Sequence, residues 1–460
     1  MLFRPEITSC LVALGLVAGC AQAPTNGAYV SDAVGDILSS GPADVVNSAI
    51  TVKLTDYQPS IKAAALSSSA YAGSQAAIEG AAQGVTVANS ALAPQVSLQS
   101  QLGGVSEKDK TGTENTTGVS ASLSVNKLIY DGGASVSGIN AAFARVIAAE
   151  AQAEEAITGI VADMASAWID LWQYQQRSAL LAERSQEGRD IVQQMDRLVA
   201  SGMVDKSSVA SAKIQIHDLD IEELRLSERV SDAQSRLSKY LKHDGGAVAR
   251  PSQIISLPTG KNAATAWQGN PALRGTAASI VVAEQDVQIA AAQKKPSVGL
   301  RAGVDSPMSE TSSTDVALGL QLSWTLGDGG RRDAELAARK ANLTREKQQF
   351  DTQKRETVAM LSQMMKTRAS LLSSQSSIRA KNAEVLASRD TLKKQLATGQ
   401  ADLKRVIDAE IQALRTADRA IEIDAEIMKL DVSIAAQSGR LLSSFGIPAP
   451  QSNITKALDK

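Results

Sequence analysis

The chain has 460 residues, with 47 Lys and Arg against 49 Asp and Glu, so its net charge is close to zero. This balance excludes the strongly basic surface that nucleic-acid-binding proteins present, and no nucleic acid partner is expected. Aromatic residues make up only 3% of the chain while hydrophobic residues make up 43%, a composition that favours long, closely packed helices.

The N-terminus has the pattern of a secretion signal. An apolar run between Leu11 and Val17 predicts a signal peptide over residues 1–19. The run leads into the letters LVAGC, which resemble the bacterial lipobox, and this resemblance implies that Cys20 is acylated. The alternative is an ordinary signal peptide with an incidental cysteine. Residues 20–59 are predicted to be a linker that follows the lipid anchor.

A motif recurs at a fixed distance along the chain. Asp131-Gly132-Gly133 is repeated as Asp328-Gly329-Gly330, 197 positions later, and the same offset relates Gly202 to Gly399. We therefore predict a two-fold internal repeat. Its parts are a first half over 60–242, a linker over 243–270, a second half over 271–446 and a C-terminal tail over 447–460.

Each half is predicted to contain a helix that ends at a proline, then two strands, then long helices broken at a glycine. The expected helices run from Ile61 to Ala93 and over 134–241 in the first half, and from Ala272 to Lys295 and over 334–442 in the second.

Four segments alternate apolar and polar residues with the period of two that strands require. They form two predicted hairpins, residues 95–130 and 297–326, with strands of about ten residues, the length that crosses a bilayer when tilted. One face is apolar and the other is small or polar, which is the pattern of a membrane barrel. The predicted lumen residues are Gln99, Ser122, Arg301 and Gln321. The alternative is two amphipathic hairpins on a soluble core.

The ends of the strands carry further signals. Trp324 and Tyr130 are expected to lie at the membrane interface. Charged residues are expected in the loops at the hairpin tips, namely Lys108, Asp109, Lys110 and Glu114 in the first and Asp305, Glu310 and Asp315 in the second. Because a sheet edge in hydrocarbon leaves backbone groups unpaired, four strands cannot close a barrel alone, and an oligomer is predicted.

Several stretches resemble the TolC-like outer-membrane efflux protein family. They are Asn270 to Leu273, Pro296 to Leu300, Leu318 to Arg332 (LGLQLSWTLGDGGRR) and Leu396 to Leu414. The resemblance covers nearly the whole mature chain. It implies a homotrimer in the outer membrane of a Gram-negative bacterium, with a 12-stranded β-barrel of four strands per protomer continued by a long α-helical periplasmic barrel. The implied partners are a periplasmic adaptor (membrane fusion) protein, an inner-membrane pump or ABC exporter, and outer-membrane lipid.

The resemblance also implies roles for individual residues. The tip that contacts the adaptor would include Leu198, Gly202, Met203, Val204, Leu396, Gly399 and Gln400. The family's periplasmic constriction uses carboxylates at two positions that are occupied here by Arg405 and Asp408. Asp408 matches the family and Arg405 departs from it, which puts a purely acidic gate in doubt. The alternatives are a structural turn at the tip and a solvated pair on a helix face.

Three functions stay open at this point. They are a passive conduit for drug or small-solute efflux, the exit duct of a type I protein secretion system, and a coiled-coil scaffold without a pore. An enzyme is not expected, because neither His217 nor His243 has a second ligand at metal-binding spacing and no nucleophile elbow occurs. For the same reason no metal or cofactor is expected.

Overall fold

The computed structural model describes residues 56–108, 113–200, 206–242, 246–252, 257–258, 261–306, 314–398 and 400–458, together with Val34. The predicted signal peptide, Cys20 and most of the linker lie outside these ranges, as do Gly202, Met203, Val204 and Gly399. Two helices and a hairpin begin the described part: α1 (Tyr57–Ser67), α2 (Ser69–Ser90), β1 (Gln95–Lys108) and β2 (Thr113–Tyr130). Two long helices follow, α3 (Ala134–Ala200) and α4 (Lys206–Ser238).

The second part of the chain has the same order of elements. A short helix α5 (Lys261–Ala264) and a 3-10 turn (Ala266–Gly269) precede α6 (Pro271–Ala292), β3 (Ser297–Ser306) and β4 (Asp315–Ser323). The long helices α7 (Arg331–Ala397) and α8 (Leu403–Gln437) follow, and then α9 (Leu441–Ser444) and α10 (Asn453–Leu458). Helices α3 and α7 have 67 residues each, and therefore a length of about 100 Å. The internal duplication inferred from the sequence offset stays a prediction.

The four strands form one antiparallel sheet in the order β1-β2-β3-β4. The register is continuous across the sheet, since Leu98 pairs with Leu123, Leu123 with Val304, and Val304 with Val316. The first hairpin is longer than the predicted ten residues per strand, with 14 residues in β1 and 18 in β2.

The Asp-Gly-Gly motifs lie at the turns that lead from the hairpins into the long helices. The Asp131 carboxylate accepts hydrogen bonds from the backbone N–H groups of Gly133 (3.0 Å) and Ser135 (2.6 Å). Asp328 does the same for Gly330 (3.1 Å) and Arg332 (3.2 Å). These bonds satisfy amides that have no partner in the first turn of α3 and α7. All four glycines have positive φ, which is cheap only without a Cβ.

The helices keep the lateral order of the strands to which they are joined. Near the sheet, α2 packs on α3, α3 on α6 and α6 on α7, which is the order of β1 to β4. Further away, α3 packs on α4 and α8, and α8 packs on α7. The helices thus form a wall of four columns: α2 followed by α4, then α3, then α6 followed by α8, and then α7. Helices α3 and α7 run the full length of this wall.

The largest buried cluster lies midway along this wall. Tyr57 makes edge-on contacts with Trp168 and Phe445, both at 5.5 Å between ring centroids. The Trp168 side chain is fully buried, and its indole N–H donates to the Ala249 carbonyl at 3.0 Å. These contacts join α1, α3, the segment 246–252 and the chain after α9. They explain why the connecting segments fold against the helices.

Three predicted features differ from the structure. The first helix is interrupted at Ser68, whose backbone is extended and whose hydroxyl accepts from the Tyr71 N–H at 3.1 Å, so that it caps a new helix. Lys108, Glu114, Asp305 and Asp315 lie in strands and not in loops, because the ladder continues through Lys108↔Thr113, Glu107↔Glu114 and Asp305↔Asp315.

The last strand ends at Ser323, three residues before the predicted end of the second hairpin. Beyond it, side chains satisfy backbone carbonyls that a ladder would otherwise satisfy. The Trp324 indole N–H donates to the Lys294 carbonyl at 3.2 Å, and the Arg332 guanidinium donates to the Thr325 carbonyl at 3.2 Å.

Candidate functional site

The two faces of the sheet differ in polarity along every strand. Residues on the apolar face include Val96, Leu98, Leu123, Val316, Leu318, Leu320 and Leu322, all of them exposed in the protomer. Leu98 is 73% exposed and Leu320 is 71% exposed. In water such a face would be costly, because each fully buried leucine gains about 1.5–3 kcal/mol over an exposed one. The face therefore requires an apolar environment.

The predicted lumen residues share the opposite face. Gln99 pairs directly with Ser122, and Ser122 with Asp305. Arg301 pairs with Asn126 and Gly319, and Gln321 pairs with Gly299, so both lie on the same polar side. The register thus brings the four residues to one face. That this face lines a lumen stays a prediction.

Both edges of the sheet are open in the protomer. Strands β1 and β4 each pair on one side only. An edge strand presents a row of unpaired N–H and C=O groups, which in hydrocarbon cost several kcal/mol each. A sheet with open edges can lie in an apolar environment only if further strands pair with those edges.

A β-bulge controls the orientation of Tyr130. The register of β2 against β3 shifts between Leu128 and Tyr130, so that Tyr130 pairs with Val298. Strict alternation would place Tyr130 on the polar face, and the extra residue rotates it onto the apolar face instead. Trp324 directly follows β4 and is 56% exposed. The two predicted interface aromatics therefore lie at the helical end of the sheet.

At the other end of the wall, the helix ends meet in a small apolar cluster. Its buried members come from α3, α4 and α8, namely Val192, Met195, Val209, Ala212, Ile216, Leu403 and Ile407. Leu396, a predicted tip residue, packs against this cluster, while Gln400 is exposed. The backbone of Leu198 is in α3. The structure thus brings both helix pairs together near the predicted tip.

The predicted constriction residues lie on the first turns of α8. Arg405 and Asp408 are both exposed. The Asp408 carboxylate contacts Lys404 Nζ at 3.4 Å and accepts from the Gln215 side-chain amide at 3.3 Å. Within the protomer, Lys404 is therefore the cation beside Asp408, and no ion pair of Arg405 occurs among the described residues. Lys404 is not one of the predicted constriction residues, although it lies four residues before Asp408 on the same helix.

A group of charged side chains above the tip was not predicted. Lys393 Nζ of α7 lies 2.5 Å from a carboxylate oxygen of Glu410 on α8 and 3.3 Å from Glu187 on α3. Glu410 is buried. Burial tends to raise the pKa of Glu187, but the charges of Arg184 and Lys393 outweigh it and hold the pKa below its usual value. Pairing across three helices is not visible in sequence spacing.

A second charged cluster links two of these helices, α3 and α8, nearer to the core. The Arg177 side chain of α3 is only 8% exposed and contacts Asp418 at 2.6 Å and Glu422 at 2.8 Å, both on α8. A second N–H of Arg177 reaches the other Asp418 oxygen at 2.9 Å, so the pair is bidentate. This cluster fixes the position of α8 against α3.

The described residues form neither a metal site nor a membrane-spanning helix. Among these residues no group of three or more His, Cys, Asp and Glu side chains is placed to hold a metal ion. In the same ranges no helix is both long enough and apolar enough to cross a membrane.

Comparison with known proteins supports this geometry. The family model described as outer membrane efflux protein matches residues 60–242 and 263–437. The Campylobacter jejuni CmeC outer membrane channel is 12% identical with a TM-score of 0.73, over 88% of this chain and 89% of its own. The outer membrane protein VceC from Vibrio cholerae is 18% identical with a TM-score of 0.72, over 83% and 96%.

A third solved structure, CusC, is described in terms of conformational changes that accompany folding and transmembrane channel formation. It is 14% identical with a TM-score of 0.73, over 85% of this chain and 93% of its own. No curated protein sequence matches the chain. At these identities the solved structures show the fold, and the family match spans most of the chain. The protein therefore belongs to the outer membrane efflux protein family and is a channel protein, not an enzyme.

Proposed function

We propose that this protein forms the outer-membrane duct of a tripartite export system and passively conducts small molecules out of the cell. The observation that carries the proposal is the four-stranded sheet, which has one exposed apolar face, one polar face and two open edges. A closed barrel with lipid outside and water inside satisfies all three features.

The number of chains in the channel is limited by the number of strands needed to close a β-barrel. Bacterial barrels need at least about eight strands, so four strands per chain require two copies or more, and a water-filled lumen requires more than the minimum. The family resemblance implies three copies and a 12-stranded barrel. Helices α3 and α7, at about 100 Å, are long enough to continue such a barrel across much of the periplasm.

The tip is the proposed contact with a periplasmic adaptor protein, which in turn engages an inner-membrane transporter. The proposal is supported by the convergence of both helix pairs near Leu396. Efflux of small solutes is favoured over type I protein secretion because the matching family model is described as an efflux protein.

Electrical recording tests the channel directly. The purified full-length protein is expected to form trimers in mild detergent and to give discrete conductance steps in planar bilayers. Deletion of the gene is expected to increase accumulation of a fluorescent drug in cells, without loss of a secreted protein from the medium. A monomer without conductance would contradict the channel, and normal drug accumulation with lost secretion would favour the type I alternative.

The proposed constriction has its own test. Three Asp408 carboxylates around a trimer axis would form an acidic ring beside Lys404 and Arg405. Asp408→Ala is expected to increase conductance or vancomycin entry, and Arg405→Asp is expected to increase cation selectivity, because it adds uncompensated negative charge. If trimers assemble and neither variant changes conductance, selectivity or drug entry, the constriction lies elsewhere.

Lipid attachment at Cys20 is proposed from the lipobox. Radiolabelled palmitate is expected to label the wild type but not Cys20→Ser. Equal labelling of both proteins would contradict acylation at this residue. The lipid would add anchoring beyond the barrel, so we expect its loss to weaken assembly more than it abolishes transport.

A further inference from the structure

One cation interrupts the apolar face of the sheet near its helical end. Lys127 pairs with Leu300, which pairs with Leu320, so the three residues form one row on the apolar face. Along β2 this row lies between Val125 and Tyr130. Lys127 is exposed, and its ammonium makes no ion pair among the residues that the structure describes.

Aromatic residues flank Lys127 on the side toward the helices. The next row contains Tyr130, Val298 and Leu322, because the bulge rotates Tyr130 onto this face. Trp324 follows two residues after Leu322, and its ring is held by the hydrogen bond to the Lys294 carbonyl. Tyr130 is 49% exposed, and within the described residues its hydroxyl has no hydrogen-bond partner.

The position of Lys127 limits what can neutralise it. On the lipid side of a barrel a lysine is costly at the midplane and tolerated only near the interface, where its long stem lets the ammonium reach the headgroups. Tyrosine and tryptophan are enriched at that same level. The chemistry that satisfies an unpaired ammonium and a free phenol together is a phosphate, which accepts from both.

We propose that Lys127 and Tyr130 bind the phosphate of a glycerophospholipid in the leaflet nearest the helices, with the Trp324 ring packed against its glycerol and upper acyl region. This inference rests on the proposed barrel, since only then does the apolar face meet lipid. The ligand class is an anionic phospholipid, whose phosphate neutralises the Lys127 ammonium. In a zwitterionic phospholipid the headgroup cation already neutralises the phosphate, so the charge of Lys127 would stay unbalanced.

The test uses purified full-length trimers that carry phosphatidylglycerol, examined by native mass spectrometry. Lys127→Gln is expected to weaken phosphatidylglycerol retention about fivefold, the effect of one lysine near an anionic membrane surface. Lys127→Arg is expected to restore it. Arg301→Gln is the matched control, because Arg301 lies one residue from Leu300 but on the polar face, and it is expected to retain lipid as the wild type does.

Two further arms identify the ligand. A diacyl glycolipid without phosphate is expected to bind wild type and Lys127→Gln equally, and inorganic phosphate at the same concentration is expected not to compete. If phosphatidylglycerol retention is unchanged in Lys127→Gln, or if free phosphate competes fully, the inference is wrong. Conductance is recorded on the same samples: trimers that conduct normally with no difference in lipid retention overturn only the lipid site, whereas absence of trimers and conductance overturns the proposed function as well.

Discussion

Replacing Arg177 with alanine tests how α3 and α8 are held together. Its side chain is 8% exposed, and its guanidinium makes three contacts to two carboxylates, at 2.6, 2.9 and 2.8 Å. Burial alone would lower the pKa of Arg177, but the hydrogen bond and charge of Asp418 and the charge of Glu422 more than offset it, so the pKa is raised. The arginine is therefore charged at neutral pH.

The expected loss of stability depends on how deeply the arginine and its two carboxylate partners are buried. Removing one partner of a buried ion pair typically costs about 3–5 kcal/mol, because the other charge remains without compensation. Here Asp418 and Glu422 are 27% and 26% exposed, so water reaches them when the arginine is absent. We therefore expect Arg177→Ala to destabilise the protein by about 2–3 kcal/mol.

Arg419 provides a matched control on the same network. It contacts Glu422 at 2.9 Å and Glu426 at 3.1 Å, but it is 48% exposed. Exposed pairs contribute about 0–1 kcal/mol, so Arg419→Ala is expected to have little effect. Thermal unfolding of both variants is followed by circular dichroism at one scan rate, with the wild type alongside. Equal shifts of the midpoint in the two variants would refute the assignment of the stability to the buried arginine.

Three more predictions follow from other parts of the wall. Leu98→Arg is expected to cost about 2–4 kcal/mol in detergent-resistant trimer assembly, whereas Gln99→Arg, one residue away on the opposite face, is expected to be tolerated. Gly132→Ala is expected to destabilise by at least about 1–2 kcal/mol in thermal unfolding, because its φ is +72° and an added Cβ would lie 2.9 Å from the Lys295 side chain. Because the pKa of Glu187 is lower in the folded protein than its usual value of 4.5, the ionised carboxylate stabilises the fold. This stabilisation is fully present above pH 4.5 and is lost as the pH falls through the pKa of the folded state. Glu187→Gln is therefore expected to unfold at a lower temperature than the wild type at pH 7, and this difference is expected to shrink as the pH is lowered below 4.5.

The helices and strands could be predicted because apolar residues recur in the sequence with the spacing of a helix or the alternation of a strand. Two helices of 67 residues each and a four-stranded sheet follow from helical spacing and strict alternation. The break at Ser68 was missed because a serine within a run of small residues fits a helix as well as a cap. The extension of the first hairpin was missed because charged residues in a strand look like a loop until their cross-strand partners are known.

The site was less predictable, because its residues are brought together by packing. The contacts Lys393 to Glu187 and Arg177 to Asp418 join residues 206 and 241 positions apart. No periodicity in one segment records such a pair. The face of Tyr130 likewise depends on one bulge, since a slip of one residue reverses every side chain that follows.

The sheet and the helical layer of one protomer both end in free lateral edges, and these edges lie on the same sides of the protomer. Laterally, the sheet has free edges at β1 and β4, and the distal helical layer has its outermost columns at α4 and α7. Each of those columns exposes large apolar side chains, Ile214, Ile221 and Leu224 on α4 and Val358, Met360 and Leu372 on α7. Because each helix continues the column of a strand, a rotation that joins β4 of one copy to β1 of the next also brings α7 of the first toward α4 of the second. In the proposed trimer, one rotation would therefore pair the free strand edges of neighbouring copies and also place α7 of one copy beside α4 of the next.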